Sequence, residues 1–316
     1  MRFYSDFKVG RSGKNGDEEI LDEGQKLAEM QQGMTNLGQS GGISEDESDI
    51  IYQSITWNVL RLSITCLICI VNTSNIKNII PKLFSLDLIR GRGLFCRACT
   101  ESQMETPGSA DVHAALVAVV NAKLPKVGAL LLRRVILQIQ IAYKTKDKHQ
   151  LLAAAKFLAH LINQRVVHER TALVLLKVLL ENPTNDGVEV AVGFVTECGS
   201  ILQDLSPKGL DGIFECFCGI LHEGKIDKRV RLLMEGLFVL RKAEFQGHPT
   251  VRPELDLVEF EDQSTHETSL LDKMNLDVDL GCCKLVANFL KKEKWYEDLK
   301  NLMSKSIMRG YVHLNK

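Results

Sequence analysis

From Tyr52 onward, apolar residues along this chain recur at three- and four-residue spacing. Tyr52 to Val71 places Trp57, Leu60, Ile64, Leu67, Ile68 and Val71 in that register, which predicts a buried helix. Asn72-Thr73-Ser74-Asn75 interrupts the run and offers several candidate N-caps for a second helix, Ile76 to Leu86. Pro81 sits near its first turns or kinks it. Arg90-Gly91-Arg92-Gly93 then leads into a short helix through Ala98. Pro107, Gly108 and Ser109 mark residues 102 to 110 as a loop.

Between Asp111 and Glu244 the helical pattern runs with almost nothing between elements. Asp111 is expected to cap a helix ending near Asn121. Pro125 suits the first turn of the next, whose stripe reads Val127, Leu130, Leu131, Leu137 and Ile141. Leu151, Leu152, Ala155, Leu158, Ala159 and Ile162 form the following stripe. A helix from His168 stops before Pro183, and Asp186 with Glu189 makes a candidate capping box for its successor. Ser206-Pro207 starts another, and Asp227 opens the last, through Lys242. Connections this short force consecutive helices antiparallel. Stacked antiparallel pairs give a HEAT-like solenoid. No period-two run competes, so the predicted fold class is all-α.

The ends differ from this middle. Residues 1 to 48 hold eight glycines and few large apolar residues, too little burial to offset chain entropy, and are predicted to be a disordered acidic tail. The helical domain is placed at 49–245. From His248 to Leu280 nine acids face two bases, with Pro249 and Pro253 among them. Residues 246–283 therefore read as an acidic extended strap, held to the array by Leu255, Leu257, Val258 and Phe260. Residues 284–316 return to a helix and tail, net basic, with Phe289, Trp295, Tyr296, Leu299 and Met303 as the apolar side.

Charge refines this only locally. The net charge of −1 gives no global pull toward nucleic acid or membrane. Lys123 to Lys177, however, holds eleven Lys/Arg against two acids, and Glu181 to Glu223 holds eight acids against Lys208. The array should have regions of opposite sign. Nine cysteines, several in apolar runs, and an opening without a signal-peptide pattern point to reduced thiols in the cytosol or nucleus. The most hydrophobic stretch, Ile64 to Val71, is far shorter than the roughly 20 residues of a membrane helix. No membrane contact is expected.

Candidate chemistry is sparse. Cys66-x-x-Cys69 and Cys96-x-x-Cys99 have zinc-ligand spacing, but the first pair lies inside an apolar helix, where cysteine is a common core residue. No metal and no cofactor are predicted. Gly10 to Lys14 fails as a phosphate loop, because position 8 is Lys and Asn15 replaces the required Ser/Thr. No nucleophile–base or paired-carboxylate arrangement can be argued from spacing, so no enzyme is expected. Arg90 and Arg92 are candidates for incidental RNA phosphate contact. Aromatics at 6% supply no stacking platform for reading sequence.

Several stretches go beyond generic helix: residues 71–76 (VNTSNI), Ile89 to Gly93 (IRGRG), His113 to Asn121 (HAALVAVVN), Phe157 to Gln164 (FLAHLINQ), Val188 to Gly199 (VEVAVGFVTECG), Ile226 to Val230 (IDKRV) and Leu255 to His266 (LDLVEFEDQSTH). In these, from about Trp57 to Met303, the chain closely resembles the nucampholin-type (complexed-with-Cef) pre-mRNA-splicing factors, built on a middle domain of initiation factor 4G. The resemblance implies a HEAT-like solenoid, residence in the nucleus at spliceosomes and speckles, and a non-enzymatic scaffold role in splicing. It further implies spliceosomal protein partners and docking of the DEAD-box RNA helicase of exon junction complexes. On that footing Cys69, Ile70, Asn72, Thr73 and Asn75 are the candidate partner-binding residues. The family usually carries an Asn-Lys pair where this chain has Cys69-Ile70, and losing such contacts typically costs about 2 kcal/mol. It also continues into a second helical domain, so a truncated paralogue or isoform is expected. A translation-type adaptor binding RNA and an initiation helicase is the alternative, since fold does not fix function.

Overall fold

The computed structural model describes residues 45–258, with side-chain surroundings from Tyr52 onward. Among these residues there are ten α-helices, two short 3-10 turns and no strand. Residues 1–44 of the tail expected over 1–48, the distal strap from residue 259 and the C-terminal helix lie outside the described residues. In chain order the helices are α1 (Glu45–Cys69), α2 (Ile76–Phe84), α3 (Arg92–Glu105), α4 (Ala110–Lys123), α5 (Pro125–Thr145), α6 (Lys148–Asn163), α7 (Glu169–Glu181), α8 (Asn185–Leu205), α9 (Pro207–Glu223) and α10 (Lys228–Lys242). The 3-10 turns are Pro107–Ser109 and Pro253–Leu255.

Contacts divide the chain into a unit ending at Ile70 and a unit beginning at Val71. The first holds α1, a 25-residue helix. It begins at Glu45, before the expected boundary at 49. Its opening sequence, Glu-Asp-Glu, is favoured where the positive end of the helix dipole lies.

The second unit is built in two layers. Helices α2, α4, α6, α8 and α10 pack successively in one, and α3 on α5 and α7 on α9 pack in the other. Short links make consecutive helices antiparallel, so alternate helices run parallel. This is the HEAT-like all-α arrangement the patterning predicts. Pro125 and Pro207 each occupy a first turn, where a missing N–H is harmless. Asp147 caps α6 through its carboxylate, which accepts from Gln150 N at 3.0 Å, and His168 caps α7.

Several local expectations are corrected. Helix α3 runs past Ala98 to Glu105, because no Gly or Pro follows until Pro107; Thr100, Ser102 and Gln103 are buried on it. Asp111 lies in the first turn of α4, behind the N-cap Ser109. Thr184, not Asp186, caps α8, its hydroxyl accepting from Gly187 N at 3.0 Å. Leu137 and Ile141 are 46% and 57% exposed. The buried side of α5 is Val127, Leu131, Val135, Ile139 and Ala142, a series of three- and four-residue steps that the apolar outer residues obscure. Leu152 is likewise exposed, yet α6 is otherwise buried nearly all round, because α4, α5 and α8 surround it.

Past α10 the chain reverses. Glu244, Phe245 and Gly247 all have positive φ, at 52°, 55° and 84°. This swings the Phe245 ring into the core against Gly199 of α8; a Cβ at Gly199 would lie 2.2 Å from the ring. The proximal strap then crosses the helix ends. Leu255 is buried, as expected, and its carbonyl accepts from Gln164 Nε2 at 3.1 Å. Arg252 pairs with Asp111.

Candidate partner-binding surface

The sequence-derived candidates fall at three places, and the structure treats each differently. Cys69 is the exposed last residue of α1, and Ile70 N donates to Cys66 O at 3.1 Å, closing that helix. Asn72, Thr73 and Asn75 open the second unit as a tight turn. Asn72 Oδ1 accepts from Ser74 N at 2.9 Å, from the Ser74 hydroxyl at 2.6 Å and from Asn75 N at 3.1 Å. Asn75 Oδ1 accepts in return from Asn72 N at 2.8 Å. Ile76 N donates to Asn72 O at 3.0 Å. The reciprocal arrangement is that of a capping box, with asparagine at both ends. Asn72 is exposed, so this turn holds polar groups in fixed positions at the surface.

Arg90 and Arg92 lie at the other end of α2. Asp87 Oδ1 accepts from Arg90 N at 2.9 Å and Asp87 O from Gly91 N at 2.8 Å, forming the turn that starts α3. Arg92 folds back to donate to Ile89 O at 2.9 Å. Both arginines are exposed. The nine residues of α2 span about 13 Å at 1.5 Å per residue. The arginines and the Asn72 turn are therefore separate features, not one cluster.

Two polar assemblies escaped sequence reasoning. Glu189 of α8 accepts from Lys148 Nζ at 2.6 Å and from Arg229 Nη1 at 3.0 Å, while Asp186 lies 3.2 Å from the same lysine. The Arg229 guanidinium, then the Lys148 ammonium, hold the Glu189 carboxyl down to about 2. Glu189 in turn raises both Lys148 and Arg229. Asn185 and Asp227 clasp each other beside them: Asn185 Nδ2 donates to Asp227 Oδ2 at 2.7 Å and Asp227 N to Asn185 Oδ1 at 3.0 Å. These bonds tie together the N-terminal ends of α6, α8 and α10. The apparent opposition of a basic and an acidic segment is thus partly satisfied inside the array. Residues 40 and 41 positions apart make the bonds, so no local pattern announces them.

The second assembly lies under the strap. A cleft of about 200 Å³ is lined by Asp111, His160, Asn163, Glu197, Thr250 and Arg252. Glu197 meets Lys156 at 2.8 Å and His160 at 3.4 Å, and its carbonyl accepts from Asn163 Nδ2 at 2.9 Å. Burial pushes the His160 imidazole below its ordinary value, opposed by the Glu197 carboxylate. The assembly fastens strap to array. It does not line up a nucleophile with a base.

The two CxxC pairs differ: Cys66 is half-buried and Cys69 exposed, whereas the second pair lies in the core. Cys96 and Cys99 are fully buried, Cys96 Sγ donates to Val127 O at 3.6 Å, and burial pushes the Cys96 thiol up to about 12. A thiol so hard to deprotonate is a poor metal ligand. Among the described residues no three His, Cys, Asp or Glu side chains gather as a metal site needs, and no described helix is long and apolar enough to cross a membrane.

The MIF4G domain family matches residues 67–244, which takes in the candidate turn and every helix from α2 to α10. The chain belongs to the MIF4G domain family. The pre-mRNA-splicing factor CWC22 homolog of Danio rerio is 46% identical over 255 residues, which is 81% of this chain and 26% of that protein. The Homo sapiens homolog is 45% identical over the same length, 28% of that protein. The pre-mRNA-splicing factor cwf22 of Schizosaccharomyces pombe is 42% identical over 250 residues, 79% of this chain and 28% of that protein. The chain thus spans about a quarter of the length of these relatives. Its MIF4G domain carries the Asn72 turn at its first helix junction and the strap just beyond its last matched residue.

Proposed function

We propose that this chain is a non-enzymatic scaffold in pre-mRNA splicing, acting through protein contacts of its MIF4G domain in the nucleus. The observation that carries the reading is 46% identity over four-fifths of the chain to a pre-mRNA-splicing factor. The architecture supports it. Polar groups of the described array bond one another, as at Glu189 and beneath the strap, and the Asn72 turn holds its own polar groups in place.

In the finer reading the chain docks the DEAD-box RNA helicase of the exon junction complex through Cys69, Ile70, Asn72, Thr73 and Asn75. The reciprocal Asn72–Asn75 turn supports this, since groups ordered beforehand lose less freedom on binding. The Cys69-Ile70 pair offers one thiol and an aliphatic group where a polar pair would offer hydrogen bonds, so the contact is weak. Arg90 and Arg92 make incidental phosphate contacts within the assembly.

Affinity-tagged chain purified from nuclear extract tests the reading. Co-purification with spliceosomal proteins, and nuclear staining that includes speckles, is expected. Residence in the cytoplasm with ribosomal fractions would overturn it in favour of a translation-type adaptor that binds RNA and an initiation helicase.

A further inference from the structure

Helix α10 buries Val230, Met234 and Leu237 against the array. Its opposite side is apolar too. Leu232, Leu233 and Val239 are 59%, 39% and 67% exposed, and they flank Gly236, where an added Cβ would meet nothing within 4 Å. Positions 232, 233, 236, 239 and 240 fall on one stripe at helical spacing. A stripe of this kind on a surface helix is what an adjoining helix covers. It is also the last described layer: α10 rests on α8 and, through the edge-to-face Phe214–Phe238 pair, on α9, and no described helix follows. Terminal repeats of a stacked array need a polar outer face or a cap.

We propose that residues 284–307 of this chain cap the array by laying their apolar side along this stripe. Two observations select that occupant. These residues carry Phe289, Trp295, Tyr296, Leu299 and Met303 at helical spacing, the complement the stripe lacks. Finally, the linker reaches. The strap leaves the described residues near α4, three helices from α10, a return of about 30 Å at 8–10 Å per neighbour. The 26 residues from Val258 to Lys284 can span up to about 85 Å.

The full chain has two tryptophans, so Trp57→Phe leaves Trp295 as the sole probe. In that background Trp295 should be shielded from acrylamide at every protein concentration. Gly236→Glu should raise quenching several-fold while the far-ultraviolet helical signal is kept, and Phe289→Asp should do the same from the other side. Freely quenched Trp295 in the parent would overturn the proposal, as would shielding indifferent to Gly236→Glu. Shielding that fades on dilution would assign the stripe to a second copy and likewise overturn it.

Discussion

Asn72 and Asn75 each bond the other's backbone: Asn72 Oδ1 takes the Asn75 N–H at 3.1 Å, and Asn75 Oδ1 takes the Asn72 N–H at 2.8 Å. Neither bond needs any other element of the fold. The turn that opens the second unit is therefore ordered by its own residues, and its polar groups stand in a defined geometry.

Removing one side of this clasp should be felt in both stability and binding. Asn72→Ala leaves Ser74 N and Asn75 N without their side-chain acceptor and should cost about 1 kcal/mol. Urea unfolding would read the loss, and amide exchange at residues 73–76 should accelerate more than in α6. Asn72→Asp, which keeps the acceptor, should restore most of it.

Gly199 gives a prediction whose sign reverses with its neighbour. A Cβ there would stand 2.2 Å from the buried Phe245 ring, so Gly199→Ala should destabilise by about 1–3 kcal/mol. With Phe245→Ala already present the clash is gone. The same Gly199→Ala change should then be neutral or stabilise by up to about 1 kcal/mol, the ordinary helix preference. A double-mutant cycle by chemical unfolding measures the difference.

Glu189 sets an acid limit. Its carboxyl titrates at about 2 in the folded chain against an ordinary 4.5. As pH falls the unfolded chain takes up this proton first. The stabilisation from Glu189 is therefore complete above about 4.5 and is lost progressively toward 2. Urea midpoints of the parent should fall between about pH 5 and pH 3. Glu189→Gln should start lower and fall less over the same range.

The strap should release without unfolding the array. Arg252→Ala removes the exposed pair with Asp111, worth about 0–1 kcal/mol globally. Hydrogen exchange of residues 248–257 should nonetheless rise markedly, while α6 and α8 keep their protection. Equal acceleration throughout would mean that the strap is part of the cooperative core.

What could be read from the chain in advance follows from how local each signal is. Pro125, Pro207, His168 and Asp227 mark helix starts because the stereochemistry of a first turn acts on the residue itself. Asp186 stands two positions beyond Thr184, the residue that caps α8, and only the backbone decides between them. Leu137 and Ile141 misled because α5 carries apolar residues on its outer side as well. The pins of the strap were invisible: Arg252 meets a residue 141 positions away and Leu255 one 91 away. At the candidate surface, Asn72 and Asn75 were legible as turn formers. Their mutual clasp depends on a register that composition does not specify.

The central proposal is that residues Cys69, Ile70, Asn72, Thr73 and Asn75 dock a helicase, with the Cys69-Ile70 pair weakening the contact. Calorimetric titration of the purified chain with the exon-junction DEAD-box helicase tests it, beside a Cys69→Asn, Ile70→Lys double variant. The account predicts weak binding by the native chain and binding roughly 30-fold tighter by the double variant, equivalent to about 2 kcal/mol. No binding by either chain, or equal affinity for both, would contradict it.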